Sequence, residues 1–289
     1  LKEKFFTEKL FFKVIRLRMV EIVKKYKLKN TVRFGPINWI GFWTLYKREV
    51  FRFLVVWIQT LLSPIVSSLL FLLVLSLAIG NNRSDVLGYP FINFLAPGLI
   101  AMQVIQQAFS HSSSSFMIGK MQGSIVDILY APLSAGEVTT AIALASTTRS
   151  FMIGIVSIFI FYFLVDIEIK NYYSLFFFTF ISSIILGCLG IIAGLWAEKF
   201  DHMASVTNFI IVPLSFLSGT FYTIDNLPSF LQTISKCNPF FYMIDGFRYS
   251  FLEKSDGSIF VGSIYLSGLA IILWLVTYLL YKRGYKIKS

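Results

Sequence analysis

The sequence predicts an all-α integral membrane protein with six transmembrane helices and both termini in the cytoplasm. Three observations predict it. The 289 residues are 56% hydrophobic and only 14% charged, with a mean hydropathy of +0.72, whereas soluble domains carry about 25% charged residues. Six mostly uncharged runs reach the roughly 20 residues that a spanning helix needs. The charge gathers at the ends: residues 1–52 hold 14 Lys/Arg against Glu3, Glu8, Glu21 and Glu49, and residues 282–289 hold four more. Placed this way, the net charge of +11 reads as orientation rather than as a nucleic-acid arm on a soluble core.

Residues 1–37 form a basic cytoplasmic tail. Its first 18 residues lack a small-residue cleavage site. They read as an upstream extension or a frayed helix, with Met19 an alternative start. Residues 38–54 follow as an amphipathic interfacial helix. Trp39, Trp43, Tyr46, Val50, Phe53 and Trp57 recur at spacings of three and four, with Lys47, Arg48 and Arg52 on the other side. Aromatics opposite basic residues suit a helix lying at the cytoplasmic surface of a bilayer.

Residues 55–282 form the transmembrane domain, with spans at about 57–79, 91–110, 139–165, 174–197, 203–222 and 259–281, and 283–289 form a second basic tail. With both ends inside, 20 of the 26 basic residues lie on the inner face and five on the outer, which agrees with the positive-inside rule. Arg149 falls within a span.

Between spans two and three, His111 and Ser112–Ser115 read as a turn or irregular span end. A short helix follows over Gly119–Tyr130, stopped by Pro132. Ile125, Ile128 and Leu129 form its apolar edge, with Lys120, Gln122 and Asp127 polar. So short a helix is marginal alone and needs a partner surface. Beyond span five, residues 223–258 are too apolar for a solvated linker. They read as two short helices joined at Asn238-Pro239, dipping back toward the membrane to cap a cavity.

The chain has no GxxxxGK[ST] and no GxGxxG, so any ATP that drives it binds another chain. No Cys/His group has metal spacing, and no serine sits in GxSxG. No catalytic, cofactor-binding or metal residues are therefore assigned. Arg149 has two readings: a charge facing a pathway, where it meets an anionic head group, or a late span start from which it snorkels to the interface. Ser183, Gly187, Gly190 and Gly194, with Ser146, Ser150 and Gly154, mark close helix crossings. Gln59, Gln103, Gln106 and Gln107 either line a pathway or bond a neighbouring helix.

Two stretches carry a family resemblance. The first is KMQGSIVDILYAPLSAGE, Lys120–Glu137. The second is PLSFLSGTFYTIDNLPSFLQTISKCNPFFYMIDGFR, Pro213–Arg248. They resemble the permease subunits of ABC-2 type exporters. The family's outer pattern is met at Phe216–Gly219, Phe221-Tyr222, Leu227-Pro228, Asn238-Pro239, Tyr242, Asp245-Gly246 and Arg248, with Thr223 where proline is common. Tyr46-Lys47-Arg48-Glu49 is similar to the family's entry helix. The resemblance covers about Asn38 to Lys282.

It implies a half-transporter. Two permease copies would pair as a homodimer above two copies of a separate ATPase, which would bind the ATP and Mg. The Gly119–Tyr130 helix would couple the two proteins, and the outer helices would gate the pathway. The cargo expected from the resemblance is a polysaccharide, a lipid-linked glycan or an amphiphilic small molecule, exported across the bacterial inner membrane; membrane lipids are a partner and nucleic acid is not. The competing readings are an intramembrane lipid-modifying enzyme, which would need a pair of polar catalytic groups at membrane depth where only Arg149 qualifies, and a non-transporting scaffold.

Overall fold

A computed structural model describes residues 35, 37–79, 86–165 and 167–287. The chain divides into two compact units at Asn38/Trp39. The first unit, the expected basic tail, lies almost wholly outside the described residues. The second is built of helices. Among the described residues the only β pairing is an isolated bridge between Val86 and Tyr89.

The helices are α1 (Trp39–Val55), α2 (Ser63–Ile79), α3 (Phe91–Met121), α4 (Ile125–Tyr130), α5 (Ala135–Leu164), α6 (Tyr172–Trp196), α7 (Phe200–Val206), α8 (Val212–Phe216), α9 (Ser229–Cys237), α10 (Pro239–Leu252) and α11 (Ile259–Lys282). A π-helical segment, Ile58–Leu62, leads into α2, and another, Thr207–Ile211, joins α7 to α8. Among the described residues, five helical stretches are long and apolar enough to cross a membrane: Ile58–Ala78, α3, α5, α6 and α11. The expected span at 203–222 is helical only over 200–216, in three pieces, and residues 217–223 form a turn.

Helix α3 is the centre of the body. Phe94, Leu95, Ala96, Ile100 and Ala108 are fully buried, and the helix packs against α2, α5, α6 and α10. Its partnership with α6 is the most extensive helix contact. Small residues permit it. A Cβ on Gly190 would stand 2.6 Å from the Phe109 carbonyl oxygen, and one on Gly194 would stand 2.9 Å from that of Ser113. Close backbone approach of this kind drives helix association where lipid offers no hydrophobic contrast.

This packing corrects the expectation for His111 and Ser112–Ser115. They are not a turn but the continuation of α3, with His111, Ser112 and Ser113 buried. Serines serve here as small residues against the α6 glycines. At 31 residues α3 spans about 46 Å, well beyond the roughly 30 Å of a hydrocarbon core. The expected helix at Gly119–Tyr130 is likewise divided. Gly119 and Lys120 belong to the last turn of α3. The chain breaks over Gln122–Ser124, where Gly123 takes φ +72°, and α4 starts only at Ile125. Helix α5 begins at Ala135, before the expected 139. Its capping box has Ser134 N–H donating to Glu137 Oε2 at 2.6 Å, and Glu137 N–H donating to Ser134 Oγ at 3.3 Å.

The loops sort into two sets. At one end, Lys170 Nζ donates to Tyr89 Oη at 2.8 Å, Tyr89 Oη donates to the Leu252 carbonyl at 3.1 Å, and Lys254 Nζ donates to the Leu87 carbonyl at 2.7 Å. At the other end, Lys120 Nζ donates to the carbonyls of Leu195 and of Ala197, and Lys286 Nζ pairs with Glu198 at 2.8 Å. The expected free tail after residue 282 is partly folded: Ile287 is buried in the apolar cluster that holds Phe42, Leu45, Phe116 and Ile142.

Candidate functional site

The residues singled out in the sequence fall in three places. The first is the surface around α4. Ile125 points inward and is buried, Ile128 is half-buried, and Asp127 and Pro132 are exposed. The outward side is apolar: Met121, Val126, Leu129 and Tyr130 are exposed, Tyr130 at 86%. Lys120 is not part of this surface. Its ammonium caps the last carbonyls of α6, where a cation also opposes the negative end of the helix dipole. Gly119 is buried, and Gln122 lies exposed in the break.

Beside it lies α1. The expected single aromatic face is divided by the structure. Trp39, Trp43 and Trp57 are exposed, Tyr46 and Val50 are half-buried, and Phe53 is buried. The protein-facing stripe is Phe42, Leu45, Glu49 and Phe53, one position round the helix. Glu49 turns inward because it finds partners there. Ser115 Oγ donates to its Oε2 at 2.7 Å, Arg52 Nε donates to the same oxygen at 3.1 Å, and Arg52 Nη2 donates to the His111 carbonyl at 3.1 Å. The sequence reading missed this cluster, and it moved Arg52 from the outer side of α1 to its inner edge. Arg48 stays exposed, and Tyr46 Oη shares a 2.7 Å hydrogen bond with Thr148 Oγ1 of α5.

The second place is the outer motif, which the structure gathers into one interlocked unit. Asn238 is its knot. Its Oδ1 accepts from Phe240 N–H at 3.1 Å, and its Nδ2 donates to the Leu214 carbonyl at 3.0 Å and to Ser218 Oγ at 2.8 Å. Pro239 then opens α10 at a position where its missing N–H costs nothing. Arg248 is 1% exposed. Its Nη2 donates to the carbonyl of Gly219 at 2.7 Å and weakly to that of Thr220 at 3.4 Å, and its guanidinium lies 3.8 Å from the Phe94 ring centroid. Gly219 needs its glycine, at φ +73°.

Asp245 receives the N–H groups of Asp256 at 3.0 Å and Gly257 at 2.9 Å. Burial pushes its carboxyl up to about 6, against the pull of Arg248 and of those two N–H groups. Gly246 lets the Phe178 ring pack against the α10 backbone. Phe221 stacks on Phe216 at 5.3 Å, and Tyr242 meets Tyr265 edge-on. In the approach to α9, Tyr222 and Leu227 are half-buried and Pro228 is exposed. Most of the motif is thus committed to holding its own backbone.

The third place is a cavity of about 480 Å³ between the start of α2, the middle of α3 and α5. Gln59 and Thr60 of the π-helical segment, Gln103, Gln106 and Gln107 of α3, and Arg149 of α5 line it. All four glutamines therefore face one space. Arg149 Nη2 donates to Gln107 Oε1 at 2.5 Å. The π turn widens the backbone beside Gln59, a distortion common at functional positions.

The profile of the ABC-2 type transporter family matches residues 40–252. The chain belongs to the ABC-2 type transporter family. It is 30% identical over 253 residues to the inner membrane transport permease YadH of Escherichia coli K12, an alignment that covers 88% of this chain and 99% of YadH. It is 26% identical over 234 residues to nodulation protein J of Rhizobium leguminosarum bv. viciae, covering 78% of this chain and 86% of the relative. With nodulation protein J of Sinorhizobium fredii NGR234 the identity is 20% over 241 residues, covering 82% and 88%. This ABC-2 permease is therefore a multi-pass inner-membrane transport protein. The matched region takes in α1, α4, the outer motif and the glutamine-lined cavity. It ends at Leu252, before α11.

Proposed function

We propose that this permease is one half of an ATP-driven exporter, paired with a second copy and seated on two copies of a separate ATPase that binds the ATP and Mg. Six crossings, with both termini cytoplasmic, are the topology this requires. Support for it comes from the sorting of the loops, since residues around 89, 170 and 254 meet at one end and residues around 120, 198 and 286 at the other.

The carrying observation is the apolar outer side of α4. Val126, Leu129 and Tyr130 stand in solvent at the tip of two helices that overshoot the bilayer, and exposed apolar side chains grouped in this way mark a contact surface. ATP-driven closure of the ATPase pair pushes on α4. The push passes through Ile125 into the cluster that joins α1, α3, α5 and α6. The rigid α3–α6 pair then tilts as a unit. The cargo belongs to the polysaccharides, lipid-linked glycans and amphiphilic small molecules.

The test is co-purification of the tagged permease with its ATPase. Leu129→Asp and Tyr130→Asp should abolish ATPase recovery and transport while leaving the permease's melting temperature unchanged, because neither side chain is buried. Full ATPase recovery with both substitutions combined would refute the coupling role. For the topology, a cysteine at Ser229 should react with an impermeant reagent added from outside; reaction from the cytoplasmic side alone would overturn it.

A further inference from the structure

The cavity that holds Arg149 has an unusual wall for a membrane interior. Its polar groups are amides, hydroxyls and one guanidinium, and among the described residues no carboxylate lines it. Among the described residues no carboxylate oxygen lies within ion-pair distance of Arg149. Glu49 is already engaged by Arg52 and Ser115. Arg149 spends one guanidinium nitrogen on Gln107, and its Nε has no partner; the Nε2 of Gln106 has none either. Arg52 is close enough to act on Arg149 as a second positive charge.

A charge at such depth is costly and normally meets a counter-charge. A guanidinium that shares its cavity with the amide side chains of Gln103, Gln106 and Gln107 offers donors suited to the oxygens of a tetrahedral anion. The cavity is as large as sites that take whole small molecules. It also opens sideways, along the exposed Val56, Gln59, Ser63 and Ser67.

From this geometry we infer that the cavity binds a phosphate group, with Arg149 as its counter-charge and the amides of Gln103, Gln106 and Gln107 as further donors. The inference deepens the exporter reading, since it makes the recognised part of the cargo a phosphate. The α2 side would then admit an amphiphile whose phosphate enters the cavity while its chains stay in lipid.

The test uses the full permease with its ATPase in nanodiscs and follows binding calorimetrically. The probes are dioctanoyl phosphatidic acid, dioctanoyl phosphatidylcholine and inorganic phosphate. Phosphatidic acid should bind saturably, and Arg149→Gln should weaken it about tenfold or more, the effect of losing one charge-assisted contact. Arg149→Lys, which keeps the charge but loses the planar fork, and Gln107→Leu should each lose an intermediate share of the affinity.

Binding of phosphatidic acid but not inorganic phosphate would assign the site to a lipid-linked phosphate. Comparable binding of inorganic phosphate would assign it to the phosphate itself. Equal affinities in wild type and Arg149→Gln, or no saturable binding of either phosphate probe to wild type, would overturn the inference. If Arg149→Gln does not fold, Arg149→Lys and Gln107→Leu decide: affinities equal to wild type in both would overturn it. Retained ATPase co-purification in those preparations would leave the exporter reading standing.

Discussion

Arg248 and Arg149 both reach into the helical body, and their surroundings differ. Arg248 is enclosed. Two backbone carbonyls accept from it, the Phe94 ring lies under it, and Asp245 and Asp256 offset its charge. Arg149 has one amide partner and a cavity in front of it. Each has an Nε without a partner, so the missing hydrogen bond does not separate them. Room does. A buried charge with its space filled is part of the fold, whereas one facing a cavity is available to something that enters. The two can therefore be separated by experiment, stability reporting one and binding the other.

Arg248→Ala is expected to have the largest effect. It leaves the carbonyls of Gly219 and Thr220 without a donor, opens a void against Phe94 and strips Asp245 of its nearest cation. Removing one side of such a buried arrangement costs about 3–5 kcal/mol. A melting curve in detergent should show a drop large enough to reduce the yield. An unchanged melting temperature would mean that the outer unit is not held by this residue.

Next in size is a pH effect at Asp245. Its folded value of about 6 stands above the ordinary value near 3.9. The folded state therefore holds the proton more tightly than the unfolded one between those values. Stability from this group is full below about pH 4, falls as pH rises to about 6 and is level above, a change of up to about 3 kcal/mol. Asp245→Asn should flatten that slope in melting curves taken from pH 4 to 7. A slope as steep as that of wild type would assign the titration elsewhere.

Smaller again is Gly98→Ala. The new Cβ would lie 2.8 Å from the Thr220 carbonyl oxygen and 3.0 Å from Arg248 Nη2. It presses on the same clamp from the α3 side, and overpacking of this kind costs about 1–3 kcal/mol. If Gly98→Ala melts like wild type, the backbone at Thr220 can move, and the enclosure of Arg248 is looser than its distances imply.

The membrane-crossing helices and the motifs were legible because their signals are local. Runs such as 259–281 need only length and hydropathy, and Asn238-Pro239 marks a helix start through its own side chain. What was not legible depended on partners distant in sequence. His111–Ser115 looks like a polar turn until the glycines of α6 supply the close surface that makes serine a packing residue. Glu49 has no assigned partner in the sequence, and Ser115, 66 residues away, binds it only in the fold. Lys120 looks like a docking residue until the C-terminal end of α6 takes its ammonium. Arg149 is the intermediate case. Its charge was evident in the sequence, but the cavity it lines is formed only when α2, α3 and α5 come together.

Arg149→Gln should have the smallest effect on stability, within about 1 kcal/mol. Glutamine keeps a donor for Gln107 and removes the desolvation cost of the charge. The same reasoning forbids a similar result at Arg248, where no water-accessible space relieves the loss. Measured side by side in the same detergent, Arg248→Gln should melt well below wild type and Arg149→Gln at or near it. Phosphatidic acid should raise the melting temperature of wild type and not that of Arg149→Gln, since a ligand stabilises only the protein that binds it. If Arg149→Gln instead melts as low as Arg248→Gln, the two arginines are equivalent structural groups, and the cavity beside Arg149 is a packing gap rather than a site.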